Sequence, residues 1–288
     1  MEMNSRIAAS YRCAEAVARK RARNFYYSFV LLPSEKRRAF CAVYAFMRYC
    51  DDVSDGAGPA PEKRRLLEEW RRRLDAAVSG NVGEDPILPA FRDSIVRFSI
   101  PPEYFHWIID GTEMDLTVDR YETFEALYRY CFHVASAVGL VSLHIFGYSD
   151  HKAKEYAEHC GIAFQLTNIL RDLKEDAKLG RIYLPSEDLG KFHYTPDDLR
   201  RGAVDERFRR MMSFECERAR GYYLSARNLL PLVEAISRPA LWAMMEIYGR
   251  ILRKIEQRRF DVFTRPIHLT PAEKAGVALR AFAMRFVR

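Results

Sequence analysis

Apolar residues recur every three to four positions along most of the chain, and no alternating apolar-polar run extends beyond a few residues. That periodicity predicts an all-α protein. Gly, Pro and Asp clusters at 56–59, 80–86, 101–102, 119–122, 147–150, 180–185, 195–196, 238–239 and 270–271 divide the pattern into roughly nine or ten helices. One helix starts at Pro33-Ser34-Glu35, is apolar from Ala39 to Met47, and runs into Asp51-Asp52-Val53-Ser54-Asp55 before 56–59 stops it. A second acidic segment, 168–176, follows the apolar stretch Gly161-Ile162-Ala163-Phe164-Gln165-Leu166. The least helical interior stretch, 180–196, comes directly after it and reads as a loop placed to cover a site. No Pro/Ser/Gly-rich linker and no repeat divides the sequence, so 1–288 reads as a single domain.

The two acidic segments carry the candidate chemistry. A helix stacks residues four apart on one face, so Asp51 and Asp55 form one row of oxygens, and Asn168, Asp172 and Asp176 form another. Like charges at this spacing cost a helix roughly 0.2–0.5 kcal/mol per pair. Two such rows next to buried surface call for an external cation, and a hard divalent ion such as Mg²⁺, with Mn²⁺ as its substitute, suits carboxylate and amide oxygens. Either row alone is a weak signal, because acids at a helix end are usually just solvated. A pair bridged by Mg²⁺ would instead match a diphosphate. Arg48, three residues before Asp51, is placed to fork onto phosphate oxygens. For Arg171 a plain salt bridge is an equally good reading.

Composition narrows the classes. The 288 residues are 49% hydrophobic, enough for a substantial core. Six cysteines lie scattered without CxxC or Cys/His spacing, which argues against zinc and against a secreted disulfide scaffold and points to a reducing cytoplasm. The charged N-terminal stretch 1–23 has no apolar export core. The apolar run 134–147 is too short to span a bilayer. A net charge of +7 admits nucleic acid, anionic lipid or a small polyanion as partner. No nucleic-acid motif is present, and unmetallated acid rows would repel phosphate, so nucleic acid is excluded as the partner. The seven histidines show no HExxH or triad grouping, and there is no GxGxxG or P-loop.

Aromatic residues form the other cluster. Phe25, Tyr26, Tyr27, Phe29, Phe40, Tyr44, Phe46 and Tyr49 crowd the approach to the first acid row, and Tyr128, Tyr130 and Phe132 begin a further apolar helix. About two-thirds of them are expected to be ordinary core. The remainder would line an apolar pocket ending at the metal, fit for an isoprenyl chain, with π faces able to stabilise carbocations.

In order along the chain, Phe25-Tyr26-Tyr27-Ser28-Phe29, Leu31-Leu32-Pro33, Tyr44 to Arg48 before Asp51, Asp110-Gly111-Thr112-Glu113-Met114-Asp115-Leu116, Tyr130-Cys131, 165–176, Gly180-Arg181-Ile182-Tyr183-Leu184-Pro185 and Phe260-Asp261-Val262-Phe263 resemble the squalene/phytoene synthase family of head-to-head prenyl transferases. The resemblance covers nearly the whole chain. It implies an all-α isoprenoid-synthase fold around a central cavity and a Mg²⁺-dependent joining of two prenyl diphosphates. A second step may consume NADPH in this family. By the same resemblance Asp51, Asp55, Asn168, Asp172 and Asp176 are the metal and diphosphate ligands, supported by Asp52. Arg48 binds diphosphate. Tyr130 belongs to the catalytic set, and Phe29, Tyr44, Gln165, Tyr183, Tyr248 and Arg265 contact substrate.

Departures from the family pattern shape the expectations. Asn24 replaces a small hydroxyl residue, and His133 and Ser136 stand where smaller residues are common. Phe29 would shorten the chain pocket and favour fifteen-carbon substrates. The run Ala281 to Arg288 lacks the anchor of eukaryotic squalene synthases and resembles bacterial-type enzymes, working in the cytoplasm or peripherally at the inner membrane surface. The leading expectation is condensation of two farnesyl diphosphates to presqualene diphosphate, or onward to a thirty-carbon hydrocarbon. The alternative is phytoene synthase, which joins two geranylgeranyl diphosphates. A head-to-tail elongase or terpene cyclase, and a basic helical binding module, rank lower.

Overall fold

The structure, a computed structural model, describes residues 2–22 and 25–284. Fourteen α-helices follow one another among these residues: α1 (Glu2–Arg21), α2 (Tyr26–Phe29), α3 (Ser34–Asp55), α4 (Ala60–Ser79), α5 (Leu88–Arg97), α6 (Glu103–Met114), α7 (Phe124–Cys131), α8 (Ala137–Phe146), α9 (Ala153–Lys178), α10 (Ser186–Lys191), α11 (Pro196–Arg201), α12 (Glu206–Ala226), α13 (Arg238–Gln257) and α14 (Pro271–Ala283). A π-turn, Phe132–Ser136, joins α7 to α8, and a 3₁₀ turn, Arg227–Leu232, follows α12. The all-α expectation holds, with more helices than the punctuation predicted. The surplus lies in short elements such as α2, α10 and α11, too brief to show a period.

The helix α9 is the axis of the fold, contacted by α7, α8, α11, α12 and α13. Its crossing with the α7–α8 segment is close enough to require glycine. A Cβ on Gly161 would lie 2.5 Å from the Ser136 Cα, and one on Gly139 would lie 2.6 Å from the Ala157 carbonyl oxygen. Ser136 is buried in that crossing and donates to the Glu158 carbonyl at 2.8 Å. His133 points elsewhere, its Nδ1 lying 2.7 Å from the Arg129 carbonyl. The larger residues at 133 and 136 are thus helix-packing features, Ser136 in the crossing with α9 and His133 with its Cβ against Gly111 of α6.

Two expectations need correction. The apolar run read as too short for a bilayer is part of a continuous helical stretch, Phe124–Phe146, long and apolar enough by length and composition to cross one. Its inner face instead contributes Tyr130, Val134, Val138 and Phe146 to a cavity wall. The segment read as a loop, 180–196, contains α10 and is pinned beside 119–122. The Ile182 amide donates to the Asp119 carbonyl at 2.9 Å, and the Ser186 amide to Tyr121 at 2.8 Å. Beneath α10, Arg218 of α12 donates to Asp188 and Glu215, each at 2.8 Å, and both acids are buried.

The wall opposite α9 is built from both halves of the sequence. The short α2 packs on α13 and α14, and Phe25 meets Tyr248 with ring centroids 5.4 Å apart. On the other side of α3, Phe46 stacks on Phe91 at 4.2 Å and on Trp70 at 5.0 Å, so this part of the aromatic cluster is ordinary core.

Candidate active site

A cavity of about 400 Å³ lies between α2, α3, α6, the α7–α8 segment, α9 and α13. Its deep end is apolar. Phe29, buried, packs on Phe40 at 5.1 Å, and Phe40 packs on Phe146 at 4.9 Å. Along one side Phe164 stacks on Tyr248 at 4.4 Å. At the polar end Arg48, Asp51, Ser54 and Asp55 from α3 share the lining with Asp115, Tyr130, Gln165 and Asn168. Helical spacing explains the first group, since the apolar face of α3 is spent by Cys50 and its last turn presents the acids where the core ends.

Arg48 organises the α3 row. Its Nε donates to Asp52 at 2.8 Å, a second guanidinium nitrogen also reaches Asp52, and Asp51 and Asp55 lie at 3.5 and 3.9 Å. Asp52 also receives Arg21 and turns away from the cavity, in keeping with a supporting role. Asp51 is exposed at the polar end of the cavity, with protein crowded around it. Desolvation, with Asp55 and Asp52 nearby, outweighs Arg48 and pushes its carboxyl up to about 7.

On α9 the row is longer than the cavity. Gln165 and Asn168 line it, and the Asn168 amide lies 3.4 Å from the Gln165 Oε1. The Asn168 Oδ1 is buried without a hydrogen-bond partner. Asp172 and Asp176, one and two turns further on, stand about 6 and 12 Å along the axis and outside the lining. Arg171 forks onto Asp172, one contact at 2.7 Å, so the salt-bridge reading of Arg171 is the one realised. Asp176 is crowded by protein and by Asp172, which together raise its carboxyl to about 7.

Asp115, at the end of the 110–115 run, has no role that the sequence pattern alone assigns. Tyr183 donates to its Oδ1 at 2.8 Å, Tyr130 is a further hydrogen-bond partner, and Arg181 donates to its backbone carbonyl at 3.0 Å. Tyr130 and Tyr183 stack at 5.1 Å. Tyr183 therefore reaches the site through Asp115 rather than lining the cavity. Burial raises the Asp115 carboxyl, and its charge is felt by Asp51 on one wall and by Asp176 on the other. It is a minor neighbour of each, within reach of both rows. One signal could have exposed it: the last acid of the run Asp110-Gly111-Thr112-Glu113-Met114-Asp115, standing just past the end of α6.

Tyr44, whose hydroxyl burial pushes up to about 12, lines the cavity, as do Phe29 and Tyr248. Arg265 is exposed in the stretch between α13 and α14, outside the lining, with its carbonyl accepting from Arg258 at 3.1 Å. The structure does not bring it to the cavity: the stretch is tied down by side chains, Arg258 donating to the Arg265 and Pro266 carbonyls and Asp261 accepting from the Phe263 and Thr264 amides. Asn24 lies outside the described residues.

Among the described residues no three acidic, His or Cys side chains gather as a closed metal cage. The donors fit a divalent ion in another way. Asp51 and Asp55 on one wall and the unpartnered Asn168 oxygen on the other offer hard oxygens to a space that phosphate oxygens and water would complete.

The squalene/phytoene synthase family model matches residues 18–273. A 15-cis-phytoene synthase of Synechococcus elongatus is 38% identical over 263 residues, spanning 87% of this chain and 85% of that protein. A phytoene synthase of Mycobacterium tuberculosis is 38% identical over 282 residues, spanning 96% and 92%. Among solved structures, a dehydrosqualene synthase superposes with a TM-score of 0.91 at 26% identity over 99% of this chain and 100% of that one. A squalene synthase from Alicyclobacillus acidocaldarius gives 0.83 at 28% identity over 88% and 96%. With the isoprenoid-synthase architecture, the aromatic cavity and the acid rows in place, the chain belongs to the squalene/phytoene synthase family of head-to-head prenyl transferases.

Proposed function

We propose that this chain condenses two geranylgeranyl diphosphates to phytoene. The observation that carries the reading is the 38% identity to proteins named phytoene synthase over 87–96% of the chain. It reverses the order expected from sequence, which placed farnesyl diphosphate first. The fifteen-carbon reading keeps one support of its own, the buried Phe29 against Phe40 at the deep end of the cavity.

The chemistry follows from the polar and apolar ends. The C1–O bond of one allylic diphosphate breaks and its electron pair leaves with the diphosphate. The double bond of the second substrate attacks the C1 cation, and proton loss closes a cyclopropane. Departure of the second diphosphate, rearrangement of the ring and a further proton loss give the hydrocarbon. A divalent ion, when bound, supplies charge neutralisation for the leaving diphosphates. Asp51, Asp55 and Asn168 would hold it, with Asp176 and an Asp172 released from Arg171 extending the site along α9. Arg48 is placed to turn its fork from Asp52 to a diphosphate, and the ring faces of Phe164, Tyr248 and Phe25 border the space in which cations form. Phytoene formation needs no hydride, so NADPH has no part in this reading. Cysteines without a disulfide support a cytoplasmic setting.

The test is incubation of the purified chain with each labelled prenyl diphosphate, with and without NADPH, followed by mass spectrometry. A forty-carbon product from geranylgeranyl diphosphate is expected, with no NADPH dependence. Turnover confined to farnesyl diphosphate would overturn the proposal and establish the thirty-carbon reading.

A further inference from the structure

Among the described residues two unpartnered buried polar atoms belong to residues that line the cavity, and the divalent ion accounts for one of them, the Asn168 oxygen. The other is the hydroxyl oxygen of Ser54, in the last turn of α3, a residue only 6% exposed. Hydroxyls inside the longer helices of this fold give their proton to the carbonyl one turn earlier: Ser94 to Ala90 at 2.8 Å, Thr112 to Ile108 at 3.0 Å, Ser142 to Val138 at 2.8 Å and Thr167 to Ala163 at 2.8 Å. Ser54 gives nothing to Cys50. Ser28, the other unpartnered serine, lies on α2 outside the lining. A buried hydroxyl without a partner destabilises the fold that holds it, yet the turn carrying Ser54 is well fixed, since Lys63 of α4 donates to the Ser54 carbonyl at 2.7 Å.

Position says what the hydroxyl is for. Val43, Met47 and Ser54, spaced four and seven apart, share one stripe of α3 and all line the cavity, whereas Asp51 and Asp55 stand on the neighbouring row with Tyr44 and Arg48. Ser54 therefore stands where the apolar stripe reaches the level of the acids, the place at which a prenyl chain joins its diphosphate. Thr112 of α6 lines the same cavity, but its proton is committed to Ile108. Ionised carboxylates accept and do not donate, so the acids beside Ser54 cannot supply a proton to a phosphate oxygen.

We propose that the Ser54 hydroxyl is a further substrate-binding group, donating to the diphosphate oxygen nearest C1. Charge builds on that oxygen as the C1–O bond breaks, so the hydrogen bond tightens as the leaving group departs. A serine side chain reaches no further than one χ1 turn allows, which restricts Ser54 to a diphosphate seated on the α3 row. The inference rests on the proposed function only for the diphosphate group, which twenty-carbon and fifteen-carbon substrates share.

The experiment is calorimetric titration of the full chain with inorganic diphosphate in the presence of Mg²⁺, which measures the hold on the leaving group itself. Ser54→Ala should raise the Kd by about tenfold to a hundredfold, the effect of losing one hydrogen bond to a charged acceptor. Titration with Mg²⁺ alone should give the same Kd for variant and parent, because the ion keeps Asp51, Asp55 and Asn168. Without metal or diphosphate the variant should melt at or above the Tm of the parent, since no hydrogen bond is removed and alanine is the better helix former. Diphosphate held equally well by parent and variant would overturn the proposal, as would a parent that does not bind it. An equal loss with Mg²⁺ alone would assign the hydroxyl to the ion instead of the phosphate, and a Tm below that of the parent would make Ser54 a structural residue. A parent that binds diphosphate through Ser54 but turns over only farnesyl diphosphate would overturn the forty-carbon reading alone.

Discussion

Asp51 and Asp176 stand on different helices, yet each carboxyl is raised to about 7, first by desolvation and then by neighbouring acids. Below that value both hold protons, and a proton competes with a divalent cation for the same oxygens. Activity should therefore require more Mg²⁺ as pH falls below 7, by about tenfold per unit for each group that must ionise. Mg²⁺ titrations at pH 6, 7 and 8 measure this, and a flat requirement would show that neither carboxylate meets the ion. The sign for stability is the opposite. These acids ionise near pH 4 when unfolded and near 7 when folded, so the metal-free protein loses their contribution as pH rises through that window. Asp115 makes a separate prediction. Asp115→Asn keeps the size but weakens the acceptor that orients Tyr130 and Tyr183, and kcat should fall by about tenfold to a hundredfold, more than KM changes. Unaltered kcat would make Asp115 merely structural. Rows with a four-residue repeat were legible in the sequence because helical spacing alone defines them. Asp115 was not, since its importance comes from three partners separated from it by 15 to 68 residues.

At the scale of elements, the two long helices that carry the rows were readable because their apolar faces extend for many turns and their stops are plain. The acids fall in the last turn of α3 and along the final turns of α9, as the pattern predicted. What the pattern hid are features decided by a partner element. The π-turn at Phe132–Ser136 and the glycine contacts at 139 and 161 belong to a crossing of two helices, and neither helix announces it alone. The segment 180–196 misled for a similar reason, its Gly and Pro content being that of a loop although tertiary bonds fix it. Arg218 is the fastener on its far side, and it neutralises two buried acids at once. The shared guanidinium does not fully offset burial, which pushes Glu215 up to about 8. Arg218→Ala should cost about 3–5 kcal/mol, the order found when a buried ion pair loses one member. Thermal unfolding of the parent and the variant measures this, and a loss below about 1 kcal/mol would deny the fastening role.

Across the whole molecule, the cavity is the part least legible in the sequence, because its shape depends on side chains from six segments. Phe25, Phe29, Phe40, Tyr44 and Tyr130 line it, whereas Phe46 and Tyr49 belong to the core beyond α3. The sequence could say that some aromatics serve the pocket, but which side of α3 each faces is settled only by what packs there. Phe29 makes the depth of the cavity testable. Phe29→Ala should raise the ratio of twenty-carbon to fifteen-carbon turnover by about tenfold, a discrimination of the size that a few methylenes give in an apolar pocket. Competition between the two diphosphates reads that ratio directly, and an unchanged ratio would move the length gauge elsewhere along the wall.

The meeting of α2 with α13 has a consequence for how this molecule comes into being. A chain leaving the ribosome has synthesised both acid rows by Asp176, but Tyr248, the partner of Phe25 in the wall, follows more than seventy residues later. Until then α2 rests on α3 alone, through Phe29 against Phe40 and Tyr44, and the pocket lacks its α13 wall. The reaction chamber can therefore close only after α13 has been made, and a shorter nascent chain lacks the wall beside which the cations form.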